Sequence, residues 1–294
     1  MPDLAHILTD KELEEIEKRI AEIYRRAGKE VEKRAASYFD KFSAADKAKK
    51  ALVKAGEMTE AEYKAWRQRQ IMTGERWGWL RKQTAKNLNQ ANNIAIDYVN
   101  SKMPRVYSIN YNAVVGEVNR QVSGISFELV DAATVKNLAT RDKTLLPYKT
   151  VNNVKDVRWN TQKVNSEILQ GILQGDSIPD LAKRLRHVTE MNEASSVRNA
   201  RTAITSAENK GRMDMLHDAE DKGVQTKKVW IATSDNRTRD AHLELDGQEA
   251  WVDEPFENEF GKIMFPGDPD AAPENVYNCR CTLGYHVVGF WNRG

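Results

Sequence analysis

The chain has 294 residues, enough to bury a sizeable core and to predict two units. Charged residues make up 30% and mean hydropathy is -0.68, so the surface is heavily solvated, yet 40% apolar residues exclude wholesale disorder. The net charge of +2 hides an asymmetry: residues 235–274 hold twelve Asp/Glu against three Lys/Arg, a balance of -9, leaving +11 on the remainder.

That division fits contact of the basic part with nucleic acid or an acidic protein surface, and equally fits lysines that solvate helix faces. No stretch reaches the ~18–20 apolar residues of a membrane span. The start, Met1-Pro-Asp-Leu-Ala-His6, lacks the basic and apolar regions of a signal peptide. A cytoplasmic chain, or one in an assembly made there and without a membrane partner, is expected.

Leu13, Ile16, Ile20, Ile23, Ala27, Val31, Ala35 and Tyr38 recur at three- and four-residue steps, predicting an amphipathic helix over 10–42. A second helical run covers 44–55. Thr59 has the character of an N-cap, with Glu60 and Glu62 in the first turn of a helix reaching 71. Thr73-Gly74 is a break. The next helix covers 75–103 and is closed or kinked by Pro104, and 107–121 is helical again. Trp66, Trp77 and Trp79 are expected as core or interface anchors. Residues 125–155 read as connecting structure with short extended pieces.

A helix over 159–173 follows, then one capped by Ser177 and ending near 188. Asn192 is the expected cap of a further helix that stops at Gly223. Its stripe of Val197, Ala200, Ile204, Ala207, Gly211 and Met215 contains small residues that let a neighbour pack closely. Beyond Gly223 the period changes. Short strands are expected at 229–231, 250–252, 263–265 and 282–290, with a turn or two of helix at 238–243 and a turn at Leu245-Asp-Gly-Gln248. The expected class is α+β: a helical region over 1–124, a connecting segment over 125–158, and a domain over 159–294. That domain comprises helices over 159–222 and a small unit of short antiparallel strands over 223–294.

The chemistry-bearing residues gather in the last part. Cys279 and Cys281 are the only cysteines, and their Cys-x-Cys spacing disfavours a relaxed disulfide, so free or metal-bound thiols are expected. With His242, and His286 or Asp246 as a fourth ligand, they form a candidate tetrahedral structural zinc site. Plain packing of two small buried thiols remains the alternative. Asp235, Arg237, Arg239, His242 and Asp246 cluster within twelve positions. A His–Asp pair is suited to general-base work and arginines to holding phosphate. The competing reading makes Ser234 or Asp235 a helix cap and the arginines local braces. No Gly-rich phosphate loop and no nucleophile-elbow motif is present.

The order Trp230, Asp235-x-Arg-Thr-Arg239, His242, Asp246-Gly247, Pro266-Gly-Asp-Pro269 and Asn278-Cys-Arg-Cys281 resembles the C-terminal domain of the phage Mu F-like minor head proteins, the head morphogenesis family. Ala200-Arg-Thr202 and Asn209-Lys-Gly211 are similar to that family's upstream helix, with Ala203 standing where Glu is usual. The resemblance covers about residues 159–285. It implies a non-enzymatic minor capsid protein of a tailed phage or prophage, associated with the portal protein and other head proteins. Such a protein assists head assembly and DNA packaging or delivery, in the host cytoplasm during assembly and then in the virion. The motif residues, including Gly247, Pro266, Gly267, Asp268 and Asn278, are then structural. Packaged DNA is an implied non-specific electrostatic partner. Two other readings stay open: a toxin-like or nuclease domain using His242, Arg237 and Asp246, and a basic DNA-binding accessory protein.

Overall fold

The structure is a computed structural model describing residues 3–72, 75–146, 154–174, 176 and 178–290, without the side chains of 35–41, 70–72, 75–77, 154–156, 172–173 and 178–179. The expected break at Thr73-Gly74, the cap at Ser177, the Pro147 region and the side chains of Ala35, Tyr38 and Trp77 lie outside this description. The class is α+β, as expected: long helices, then a small antiparallel sheet.

The compact units are not the contiguous ones expected from 1–124, 125–158 and 159–294. One is formed by Met1–Lys18, Ile96–Lys149 and Val197–Gly294, the other by Arg19–Ala95 and Thr150–Ser196. The reason is helix length. Helices α1 (Leu4–Lys54), α3 (Glu75–Gln121) and α6 (Ile178–Asp221) each contribute residues to both units. Each was expected as two shorter helices.

Pro104 lies inside α3 and does not end it. An internal proline costs ~3 kcal/mol. Met103 and Val106 beside it are fully buried, and each such side chain contributes about 1.5–3 kcal/mol, so packing outweighs the lost hydrogen bond. Asn192 likewise does not begin a helix. Its Nδ2 donates to the Val188 carbonyl one turn back at 2.9 Å, which satisfies the amide within a continuous helix.

In the unit formed by 19–95 and 150–196, Val31, Leu80, Leu88, Val164, Ile168, Leu181, Leu185 and Val188 make an aliphatic core from α1, α3, α5 (Val154–Leu173) and α6. Helix α2 (Glu60–Met72) starts on the expected cap. Thr59 Oγ1 accepts from the Glu62 amide at 3.2 Å and the Glu62 carboxylate accepts from the Thr59 amide at 2.9 Å, a capping box. Trp66 stacks on Phe42 with ring centroids 5.9 Å apart, whereas Trp79 is 53% exposed and does not serve as a core anchor in this chain.

In the other unit, part of the expected connecting segment is helix α4 (Ala132–Arg141), capped by Asp131, which accepts from the Thr134 amide at 2.6 Å. The extended stretch before it is tethered to α3 by Asn119 and Asn112. These pair with the backbone N–H and C=O of Phe127 and Val130 respectively. The sheet has order β2-β1-β5, all antiparallel, with β1 (Val224–Ile231) between β2 (Glu249–Trp251) and β5 (Thr282–Phe290). A separate hairpin pairs β3 (Phe256–Asn258) with β4 (Gly261–Ile263).

Only 229–231 of β1 was expected. After Val224, its inward positions before Trp230 are Thr226 and Lys228, so apolar alternation fails although burial alternates throughout. Lys228 is fully buried. Its Nζ donates to the Val252 carbonyl at 2.9 Å and lies 5.3 Å from the Phe256 ring centroid.

Candidate metal centre

Two short helices and two loops complete this unit: α7 (Asp240–Leu243) after β1, and α8 (Pro273–Val276) before β5. Between α8 and β5 runs the loop Asn278-Cys-Arg-Cys281, and nearly every polar group on it is held. From α6, Thr202 Oγ1 accepts from the Asn278 amide at 2.9 Å and Thr205 Oγ1 donates to the Cys279 carbonyl at 2.8 Å. Asn209 Nδ2 donates to the Cys281 carbonyl at 3.3 Å, while its Oδ1 accepts from the Leu283 amide at 2.7 Å. From the other side, Thr233 Oγ1 donates to the Arg280 carbonyl at 2.6 Å, and Arg239 donates to the Tyr277 carbonyl. Asn278 adopts φ 59°, a left-handed conformation that asparagine tolerates better than most side chains.

Arg280, between the two cysteines, forms a fork on Asp235, with both N···O distances 2.6 Å. Asp235 also accepts from the Arg237 amide at 3.0 Å and the Thr238 hydroxyl at 3.2 Å. The Arg280 bonds, then the Arg237 amide, hold its carboxyl well below the usual carboxylate range. Thus Asp235 and Arg239 brace the cysteine loop. Arg237 is mostly exposed, 3.8 Å from Asp235.

Inside this frame His242, Cys279 and Cys281 are buried together, their ligand atoms all within 4.8 Å of one another. His242 Nδ1 is 3.6 Å from each sulfur. Its Nε2 has no hydrogen-bond partner among the described residues, and its ring packs edge-on to Trp230 with centroids 5.4 Å apart. The hydrogen bond from Cys279 brings the Cys281 thiol down against burial, with His242 adding to it. The same bond and burial push the Cys279 thiol up. Cys279 and Cys281 are not joined in a disulfide, in line with their spacing.

His286 does not join them. It lies on β5 opposite Lys227, half-exposed, with Nε2 3.8 Å from Glu249. Four residues of extended strand after Cys281, at ~3.3 Å each, carry it away. Asp246 is no ligand either: its Oδ1 accepts from the Ala232 amide at 2.8 Å. Nor do His242, Arg237 and Asp246 form one constellation: His242 faces thiols, Asp246 ties down β1's end and Arg237 faces solvent beside Asp235.

The other motif residues shape the backbone. Gly247, at φ 76°, donates its amide to the Trp230 carbonyl at 2.9 Å. Pro266 and Gly267 are both buried, and Gly267 presses against α6. A Cβ on Gly267 would lie 2.8 Å from the Ser206 nitrogen, and φ is 81°. Asp268 closes that turn by accepting from the Met264 and Asp270 amides, each at 3.0 Å.

A buried network beside the loop went unrecognised in the sequence. Arg212, 1% exposed, donates to Asp3 through two nitrogens at 2.7 Å, to Asn110 at 3.0 Å and to the Leu283 carbonyl at 2.9 Å. Glu208 accepts from Thr282 Oγ1 at 2.8 Å and contacts His6 Nδ1 at 2.7 Å. A signal existed: Thr202, Thr205, Asn209 and Arg212 follow helical spacing and form a polar stripe beside the apolar one on α6. Gly211 on the same helix gives the close approach its small-residue stripe predicted. A Cβ there would lie 2.5 Å from the Tyr107 carbonyl oxygen of α3.

Residues 162–284 match the family model described as Phage Mu protein F like protein. A protein of Enterococcus faecalis named NAD(+)–arginine ADP-ribosyltransferase EFV is 35% identical over 121 residues, covering 41% of this chain and 25% of that protein. Minor head protein GP7 of Bacillus phage SPP1 is 31% identical over 148 residues, covering 49% of this chain and 47% of GP7. YqbB of Bacillus subtilis, an uncharacterised protein, is 27% identical over 152 residues, with 47% and 49% covered. The chain therefore spans no more than about half the length of these curated relatives. No solved structure matches.

Proposed function

We propose that the chain is a minor head protein of a tailed phage or prophage that takes part in head morphogenesis without catalysing a reaction. The supporting observation is the way the ordered motifs from Trp230 to Cys281 build one braced unit, in a region similar to a phage minor head protein. Among the polar motif side chains, Asp235, Arg239, Asp246 and Asp268 are occupied in holding backbone, which is what an assembly part needs. On this reading the chain associates with the portal at the capsid vertex, assists packaging or delivery of DNA, and passes from host cytoplasm into the virion. Its basic portion meets packaged DNA non-specifically.

The chain should co-purify with the portal protein of the parental phage, and heads of that phage should contain it in few copies. Absence from both procapsids and virions sinks the proposal. The similarity to a protein named as an ADP-ribosyltransferase supplies the enzymatic rival, although the matched stretch is a quarter of that protein. Incubation with NAD+ and an arginine acceptor should give no ADP-ribosylated product; turnover abolished by His242→Ala would establish the rival instead. That DNA contact should weaken steeply with salt, as counterion release requires.

A further inference from the structure

The geometry points to a zinc ion held by His242 Nδ1, Cys279 Sγ and Cys281 Sγ, with the fourth position filled by a donor other than His286 or Asp246. This does not depend on the head-protein reading. Zinc bonds of about 2.0–2.1 Å to nitrogen and 2.3 Å to sulfur, at the tetrahedral angle, set nitrogen and sulfur about 3.6 Å apart. His242 Nδ1 stands 3.6 Å from each of the two sulfurs.

Hydrogen bonding alone does not account for both contacts. An imidazole nitrogen carries either one lone pair or one proton, so it serves one thiol well, and a bond between the two thiols does not explain why the second sulfur stands equally close to the same nitrogen. An ion among the three atoms satisfies both. The Cys281 amide lies 3.4 Å from Cys279 Sγ, the backbone donation that supports a ligating thiolate. The donor set of two thiolates and an imidazole suits zinc and disfavours calcium or magnesium, which take oxygen ligands. All three side chains are buried, and no fourth His, Cys, Asp or Glu joins the group among the described residues. Water is the simplest fourth donor. The ion would fasten α7 to the loop before β5, at the point where Asp235–Arg280 and Arg239–Tyr277 already brace it from outside.

The test uses the full chain without a polyhistidine tag, purified with neither added metal nor chelator. Elemental analysis should find about one equivalent of zinc. Cobalt exchanged into the site should show sulfur-to-metal charge transfer and the intense visible bands of a four-coordinate ion. The Cys279→Ser/Cys281→Ser variant should lose the zinc, whereas His286→Ala should keep it, which separates this site from one completed by His286. Zinc below about half an equivalent that added zinc fails to raise after desalting overturns the proposal. So does a Cys279–Cys281 disulfide in freshly purified protein, or unchanged zinc in the double variant. Should that variant fail to fold, the cobalt spectrum of the unaltered chain decides: absence of the sulfur charge-transfer band rejects the site.

Discussion

In the unit formed by residues 19–95 and 150–196, the core is aliphatic, eight Val, Leu and Ile side chains on four helices. The other unit also has a large apolar cluster, but its most deeply buried large side chains include Trp230, Arg212 and Lys228, with Asn209, Asn275 and Glu208 close to fully buried. The contrast follows from what each must fix. Helices packed on helices satisfy their own backbone, so apolar burial suffices. A non-repetitive loop such as 278–281 cannot, and side chains must reach its carbonyls and amides or each would be left unpaired at ~1–3 kcal/mol. Apolar packing also tolerates sliding, whereas a hydrogen-bonded network is satisfied in one arrangement only.

The sharpest break of this comparison is Arg212→Met. It leaves Asn110, Glu208 and the Leu283 carbonyl buried without their cation, and ~3–5 kcal/mol of stability should be lost, measured by denaturant unfolding. A loss below about 1 kcal/mol would mean that the network is incidental. Leu88→Ala, fully buried in the aliphatic core, should cost ~2–5 kcal/mol through lost transfer energy and a cavity. Its effect should hold across the pH range, unlike effects in the polar unit.

Gly211→Ala should cost ~1–3 kcal/mol, because the new Cβ meets the Tyr107 backbone, which cannot step aside. Gly116→Ala in α3 is the control: nothing lies within 4 Å of its Cβ, and it should be neutral or stabilising by up to ~1 kcal/mol. Equal effects at the two glycines would remove close helix approach as the explanation.

The smallest effects are the pH dependences, which carry opposite signs. Burial opposes charging of His6, but the Glu208 hydrogen bond and the charges of Glu208 and Asp10 together outweigh it and raise its pKa above 6.5. The folded state thus binds the proton more tightly, and that stability, full below pH 6.5, is lost as pH rises through the folded value. Lys228 is the reverse. Burial, partly offset by Asp253 and Asp268, brings it down to about 8 from 10.5. The unfolded chain then holds the extra proton between those values, so stability rises with pH across that window. His6→Gln should flatten the first slope and Lys228→Met the second, each read from melting temperature against pH. Slopes unchanged in the variants would assign the dependence elsewhere.

Much of this was legible in the chain. The capping box at Thr59 and Glu62, the apolar stripe with Ile16, Ile20, Ile23 and Val31, the small-residue face around Gly211 and the strand from Thr282 all follow from local pattern. The boundaries at Pro104 and Asn192 did not, because burial of Met103 and Val106 outweighs one and a side-chain bond to Val188 answers the other. Helix α4 was hidden in a polar segment whose cap, Asp131 with Thr134, was readable but stands before only two buried residues, Val135 and Ala139. The site divided similarly: His242 with two thiols was readable from residue type, whereas choosing between His286 and an outside donor needed the strand's direction.

Local sequence determined which segments coil, where glycine and capping residues punctuate them, and that the soft ligands lie within forty residues of each other, because these depend on neighbours along the chain. Tertiary structure alone decided that three helices each serve two units. It also decided that Arg280 points to Asp235 and that His242 Nδ1 sits equidistant from two sulfurs. Those outcomes depend on which distant groups leave a buried carbonyl, amide or charge satisfied, and residues 37 to 209 positions apart settle that only when the whole chain has folded.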